Sequence, residues 1–170
     1  MIQNRADKIK YYKALKERLI RESRSDLLRF TMSTMPTFRP ADFHRRYYQV
    51  LTDFADGKIR KLMVFMPPQH GKSEGSTRRL PAFLVGKNPD NKLAIVSYNA
   101  PKARKFNREI QRIIDSPEYH EIFPNTTLNA SNVTTVAGSW LRNADECEIV
   151  GCRGGFKTVG VGGALTGEPV

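Results

Sequence analysis

The sequence predicts an α/β fold, a parallel sheet flanked by helices and preceded by an amino-terminal helical extension. Three observations predict it. "KLMVFM" at 61–66 and "KLAIVS" at 92–97 are apolar runs of strand length. Each gives way, after a short link, to a stretch with helical spacing of its apolar residues. The resulting order of strand, helix, strand, helix with short connections is that of parallel strands covered by helices.

The elements can be justified in chain order. A first helix is expected over 5–22, with Tyr12, Leu15 and Leu19 on one face. In "SDLLRFTMSTM", Ser25 is placed to cap a second helix carrying Leu28 and Met32. A third opens at Pro40 and closes at Gly57. Its stripe of Phe43, Tyr47, Val50, Leu51 and Phe54 reads as core packing, which leaves Arg45, Arg46 and Gln49 elsewhere on the helix. The run at 61–66 reads as a buried strand that Pro67 and Pro68 stop. After Gly71, Leu80, Phe83 and Leu84 fall at helical spacing. The second strand ends at Ser97. Pro101 then opens a helix whose Phe106, Ile110, Ile113 and Ile114 face inward. Residues 132–163 alternate weakly, and "FKTVGVGGALTG" reads as a strand followed by a loop. There Gly160, Gly162 and Gly163 suit either close backbone approach or positive φ.

The chain has 170 residues, enough for one domain with a core, and 39% of them are hydrophobic. No apolar stretch is long enough to span a bilayer, and the amino terminus is too charged for a secretory signal. Cys147 and Cys152 have no nearby His or Cys to complete a metal site and read as free thiols in a reducing cytoplasm. The net charge is +11, and residues 1–60 hold 14 Lys and Arg against 7 acids. Such an excess suits a polyanionic partner, nucleic acid above all.

"VFMPPQHGKSEGS" holds the most specific signal. Gly71-Lys72-Ser73 completes the second half of the phosphate-loop pattern G-x-x-x-x-G-K-[ST], but Met66 stands at its first glycine. The tripeptide alone arises in roughly one chain in ten of this length, so its context decides. A strand, a tight loop and a helix start together aim backbone N–H groups and the positive end of a helix at one point, which suits a polyphosphate. Lys72 would reach the outer phosphates, and the Ser73 hydroxyl would meet Mg²⁺.

"RPADFHRRYYQVL", "KLMVFMPPQHGKSE", "AIVSYNAPKARKFNREIQRII", "EYHEIFP" and "GFKTVGVGGALTG" together resemble, in order, the large terminase subunit of tailed bacteriophages. That protein is the motor and nuclease that packages DNA into the procapsid. The resemblance covers about 37–170, leaving 1–36 as the helical extension, and one branch of the family has a similar loop without the first glycine. It implies a P-loop NTPase fold, with ATP and Mg²⁺ as ligands. Pro67, Pro68, Gln69, His70, Gly71, Lys72 and Ser73 would form the nucleotide-binding loop, with Ser73 on the metal. His44 and Gln49 would lie on the adenine side. Gln69 stands where relatives often carry arginine, and Ser97 and Tyr98 match a strand end that lies beside DNA or a neighbouring subunit.

The implied partners are double-stranded DNA bound without sequence preference, a portal protein, a small terminase subunit and further copies in a ring. The implied location is the host bacterial cytoplasm, with no membrane. In the family, a strand after the Thr-Gly ends in two acidic residues, one holding Mg²⁺ and one polarising water. Here the chain ends at "TGEPV", so that pair is expected beyond Val170. Asp53 and Asp56 sit on the packed helix, and Asp145, Glu146 and Glu148 in a polar stretch. The resemblance therefore implies an amino-terminal piece, without the nuclease domain, that hydrolyses ATP poorly. Its sheet would be incomplete at the carboxyl end. Phe106, Ile110 and Ile113 would lose cover, residues from about Gly151 would be poorly ordered, and the chain would self-associate. Two other readings stay open: a helicase-like P-loop translocase, and a non-catalytic basic nucleic-acid-binding module.

Overall fold

The computed structural model describes residues 4–135 and 139–162. Helices α1 (Arg5–Ser23), α2 (Leu27–Thr34) and α3 (Asp42–Ala55) come first. A π-helical segment (Glu74–Arg79) runs directly into α4 (Leu80–Lys87). There follow β1 (Lys92–Ser97), α5 (Ala100–Ile114), α6 (Pro117–Ile122), β2 (Glu146–Glu148) and β3 (Gly155–Gly160).

Local chemistry accounts for most of the helix starts. The Asn99 side chain accepts from the Lys102 N–H at 2.9 Å, and Pro101 occupies the first turn of α5. Ser116 does the same for α6 toward the Tyr119 N–H, beside Pro117. The cap of α2 is Asp26, which accepts from the Arg29 N–H at 2.8 Å. The expected Ser25 instead turns its hydroxyl back to donate to the Glu22 carbonyl.

The sheet has three strands in the order β1-β3-β2. β3 lies parallel to β1, with Leu93 opposite Phe156, and antiparallel to β2, with Cys147 opposite Phe156. The sheet is therefore mixed, where all-parallel strands were expected. β2 escaped prediction because "ECE" has no apolar pattern of its own. Phe156 and Thr158 point into the protein, and the Thr158 hydroxyl accepts from Asn107 on α5 at 3.2 Å. Gly160 answers one of the glycine questions: a Cβ there would lie 2.4 Å from the Ala100 nitrogen, so close approach requires glycine. Gly162 answers the other, with φ of 85°. Gly163 lies outside the described residues.

One core joins the helices to the sheet. It includes Leu27 and Phe30 of α2, Tyr48 and Leu51 of α3, Phe83 of α4, Ile110 of α5 and Tyr119 of α6. Phe30 packs within 5.9 Å of both Tyr119 and Phe123, ring centre to ring centre. Removing a buried ring of this kind costs about 3–5 kcal/mol. Part of the expected extension is thus built into the core through α2, whereas α1 lies outside it. Tyr12, Leu15 and Leu19 of α1 are all exposed, and Arg24 fixes the helix end by donating to the Ile122 carbonyl at 2.7 Å.

Three expectations are corrected. Residues 61–66 are extended but pair with no strand among the described residues. Leu62, Val64 and Met66 pack on the core, while Met63 and Phe65 are 79% and 84% exposed. An apolar run does not distinguish burial on two faces from burial on one. Second, Phe106, Ile110 and Ile113 are all buried, because the π-helical segment, α4 and the sheet cover α5. Third, residues 155–160 form the central strand, paired with β1 along its length and with β2 over 155–157, while the part of the expected disordered end from 163 onward lies outside the described residues. Among the described residues, no helix is long and apolar enough to cross a membrane.

Candidate nucleotide-binding site

Residues 67–73 link the extended segment to the helical run that begins at Lys72. Two prolines stop the preceding chain, and two residues then turn with positive φ: Gln69 at 63° and Gly71 at 77°. The Gln69 value is uncommon for a residue with a side chain and marks a held conformation. Residues 68 and 69 form a hydrogen-bonded turn, and among the described residues the N–H groups of Gln69, Gly71, Lys72 and Ser73 meet no protein acceptor. They are grouped where the helix leaves its first N–H groups unpaired. This is the arrangement that binds anions.

Two side chains of α3 shape the loop from below. Tyr47 donates its hydroxyl to the Lys72 carbonyl at 2.8 Å, and Ser76 donates to the same oxygen at 2.8 Å. Burial pushes the Tyr47 phenol up, so it remains a donor at neutral pH. The ring also explains Gly75, where a Cβ would stand 2.7 Å from a Tyr47 ring carbon. His44 accepts from the Ala41 N–H through Nδ1 at 3.0 Å, which leaves the Nε2 proton directed away from that bond. A Cβ at Gly71 would lie 3.1 Å from Nε2, so the imidazole abuts the loop. His70 is turned onto its own backbone, with Nδ1 donating to the Pro68 carbonyl at 2.7 Å.

The reactive groups of the loop are free. Lys72 is exposed with no carboxylate partner among the described residues, and the Ser73 hydroxyl makes no hydrogen bond there. Their neighbour Glu74 is fully engaged, 3.1 Å from Arg78 and 2.7 Å from Arg79. Arg78 also meets Glu109 of α5 at 2.5 Å, and Arg79 donates to the Thr34 hydroxyl at 2.8 Å. This charged network ties the loop's helix to α2 and α5.

The two residues expected on the adenine side part company. His44 touches the loop, but Gln49 is exposed and donates toward Asp53 at 3.4 Å. Sequence reasoning missed an apolar recess of about 310 Å³ between α3 and residues 62–66, lined by Phe43, Arg46, Tyr47, Val50 and Met66 among others. It adjoins the loop at Met66. The apolar run at 61–66 supplies one of its walls, but nothing in that run alone marks a recess. Ser97 and Tyr98 lie at the end of β1, with Tyr98 exposed. Among the described residues no cluster of three His, Cys, Asp or Glu could hold a metal.

The loop fits a triphosphate by its unpaired N–H groups and its free lysine, and Ser73 fits a magnesium ion held jointly with phosphate oxygens. No protein-family model, curated protein or solved structure matches the chain.

Proposed function

We propose that residues 67–73 bind ATP with Mg²⁺, and that the chain is the nucleotide-binding part of a motor acting on double-stranded DNA, as in a large terminase subunit. One observation carries the reading: a loop of unpaired N–H groups, bounded by an extended segment and a helix start, presents a free Lys72 and a free Ser73. In this reading Lys72 neutralises the outer phosphates, Ser73 holds Mg²⁺, and Tyr47 with His44 fixes the loop's shape. The apolar recess beside Met66 offers the nucleobase a surface. Glu74 is committed to two arginines, so the activity proposed for this chain is binding. Hydrolysis requires a carboxylate brought to the γ-phosphate from elsewhere in an assembled motor. Further copies in a ring, a portal protein, a small terminase subunit and the host cytoplasm belong to the same proposal through the resemblance.

Titration with a fluorescent ATP analogue in the presence of Mg²⁺ tests it. The chain is expected to bind saturably, and Lys72→Ala to abolish binding without lowering the melting temperature, since an exposed lysine contributes little to packing. Equal binding by the variant, or none by the parent, overturns the reading.

A further inference from the structure

The recess between α3 and residues 62–66 measures about 310 Å³ and is mostly apolar. Among the described residues that line it, Arg46 alone carries a charge. Phe43, Arg46, Tyr47 and Val50 follow one another at three- and four-residue steps, which puts the guanidinium on the same face of α3 as the two rings. That guanidinium is free. Among the described residues Arg46 has no carboxylate within ion-pair distance and makes no hydrogen bond, whereas its neighbour Arg45 faces Asp42 at 4.0 Å. A planar group of five donors at the rim of an apolar recess is suited to a ligand with acceptors on its edge.

The recess and the phosphate loop are joined. Tyr47 walls the recess with its ring and donates its hydroxyl to the Lys72 carbonyl at 2.8 Å. Phe43, another wall, stands 5.8 Å from the His70 ring of the loop, centre to centre. Met66 leads directly into Pro67. A base lying in the recess is therefore that of a nucleotide whose phosphates sit at the loop, and the exposed rings of Phe43 and Phe65 offer it flat apolar faces.

The edge that such a base turns to Arg46 decides its identity. Guanine shows two adjacent acceptors, O6 and N7, which match the guanidinium fork. Adenine shows N7 beside an N6 donor, and cytosine a donor. Adenine keeps one bond, so ATP still binds; guanine makes two. We infer that Arg46 is a specificity-determining residue, and that it makes this site favour guanine over adenine nucleotides. The inference rests on the nucleotide-binding reading above and names the base that the recess selects.

Displacement of the fluorescent ATP analogue by unlabelled nucleotides, with Mg²⁺ present, gives the test. GTP is expected to act at about a tenfold lower concentration than ATP, the weaker end of what a bidentate pair discriminates, because Arg46 is exposed to water. ITP shares O6 and N7 and should match GTP, while the 7-deaza analogue of GTP lacks N7 and should fall to the level of ATP. R46K keeps the charge but loses the fork, and is expected to bring GTP within about twofold of ATP at an unchanged melting temperature. R45A, one residue along, should keep the preference of the parent. A preference that survives in R46K, or that is lost equally in R45A, overturns the assignment. Displacement that depends on Lys72 but ignores the base overturns this inference alone. A chain that binds no triphosphate overturns it together with the nucleotide reading.

Discussion

At Gly71 two demands meet, since φ is 77° and a Cβ would press within 3.1 Å of the His44 imidazole. Gly71→Ala is therefore expected to cost about 1–3 kcal/mol and to lower ATP-analogue affinity at least tenfold, read by urea unfolding and titration. Tyr47→Phe keeps the ring that packs on Gly75 and deletes only the bond to the Lys72 carbonyl. The expected cost is about 1 kcal/mol, with Ser76 still serving that oxygen. If Tyr47→Phe leaves both stability and affinity unchanged, the phenol is not a support of the loop. Asp56 illustrates pH dependence. Its carboxyl is held below its usual range, first by the hydrogen bond from Lys87 and then by the charges of Lys87 and Lys58. A folded pKa below the unfolded one means that this stabilisation is present above about pH 4 and disappears as pH falls through the lowered value. The stability gap between the parent and Asp56→Asn should accordingly be widest near neutrality and close in acid.

Between elements, the charged network around Glu74 carries the most consequence. Arg79 is 8% exposed and bonds both Glu74 and the end of α2, so Arg79→Ala strands Glu74 with Arg78 alone. A loss of about 3 kcal/mol is expected by thermal unfolding. A loss below 1 kcal/mol would mean that water replaces the guanidinium. The elements also show what a sequence can and cannot reveal. α5 was legible in full because Pro101 and a four-residue apolar period are local signals, and β1 because Leu93 to Val96 form an unbroken apolar run. The turn at Gly71 and the helix start after it were legible from the glycine and the prolines before it. The π-helical register was not, since hydrogen bonds to the fifth residue leave no periodic trace in so short a segment. Neither was the role of Tyr47, whose ring looked like ordinary core. Its hydroxyl matters only because α3 lies against residue 72, a tertiary fact. Nor did the spacing show that Gln49, near His44 in sequence, turns to a different face, toward Asp53.

At the scale of the molecule, residues 61–66 and the edge strand β1, neither with a further strand beside it among the described residues, both expose apolar side chains, Phe65 and Met63 on one and Val96 on the other. Unpaired edges of this kind favour association. The chain is expected to gain apparent mass with concentration in sedimentation, and Phe65→Glu to reduce that gain. Identical behaviour of the two would locate the association elsewhere. β3 sets a different condition, one of timing. Lys92 pairs with Gly155 and Ser97 with Gly160, so β1 has no neighbour until the later strand exists. The helices from α1 to α6 all precede β3 in the chain, and α5 gains part of its cover only from β3. A ribosome adding about 5–20 residues per second therefore displays a helical body with β1 uncovered for several seconds before β3 emerges. Within that interval, a chaperone or a neighbouring nascent chain has its best access to β1, and the arrival of Phe156 closes it.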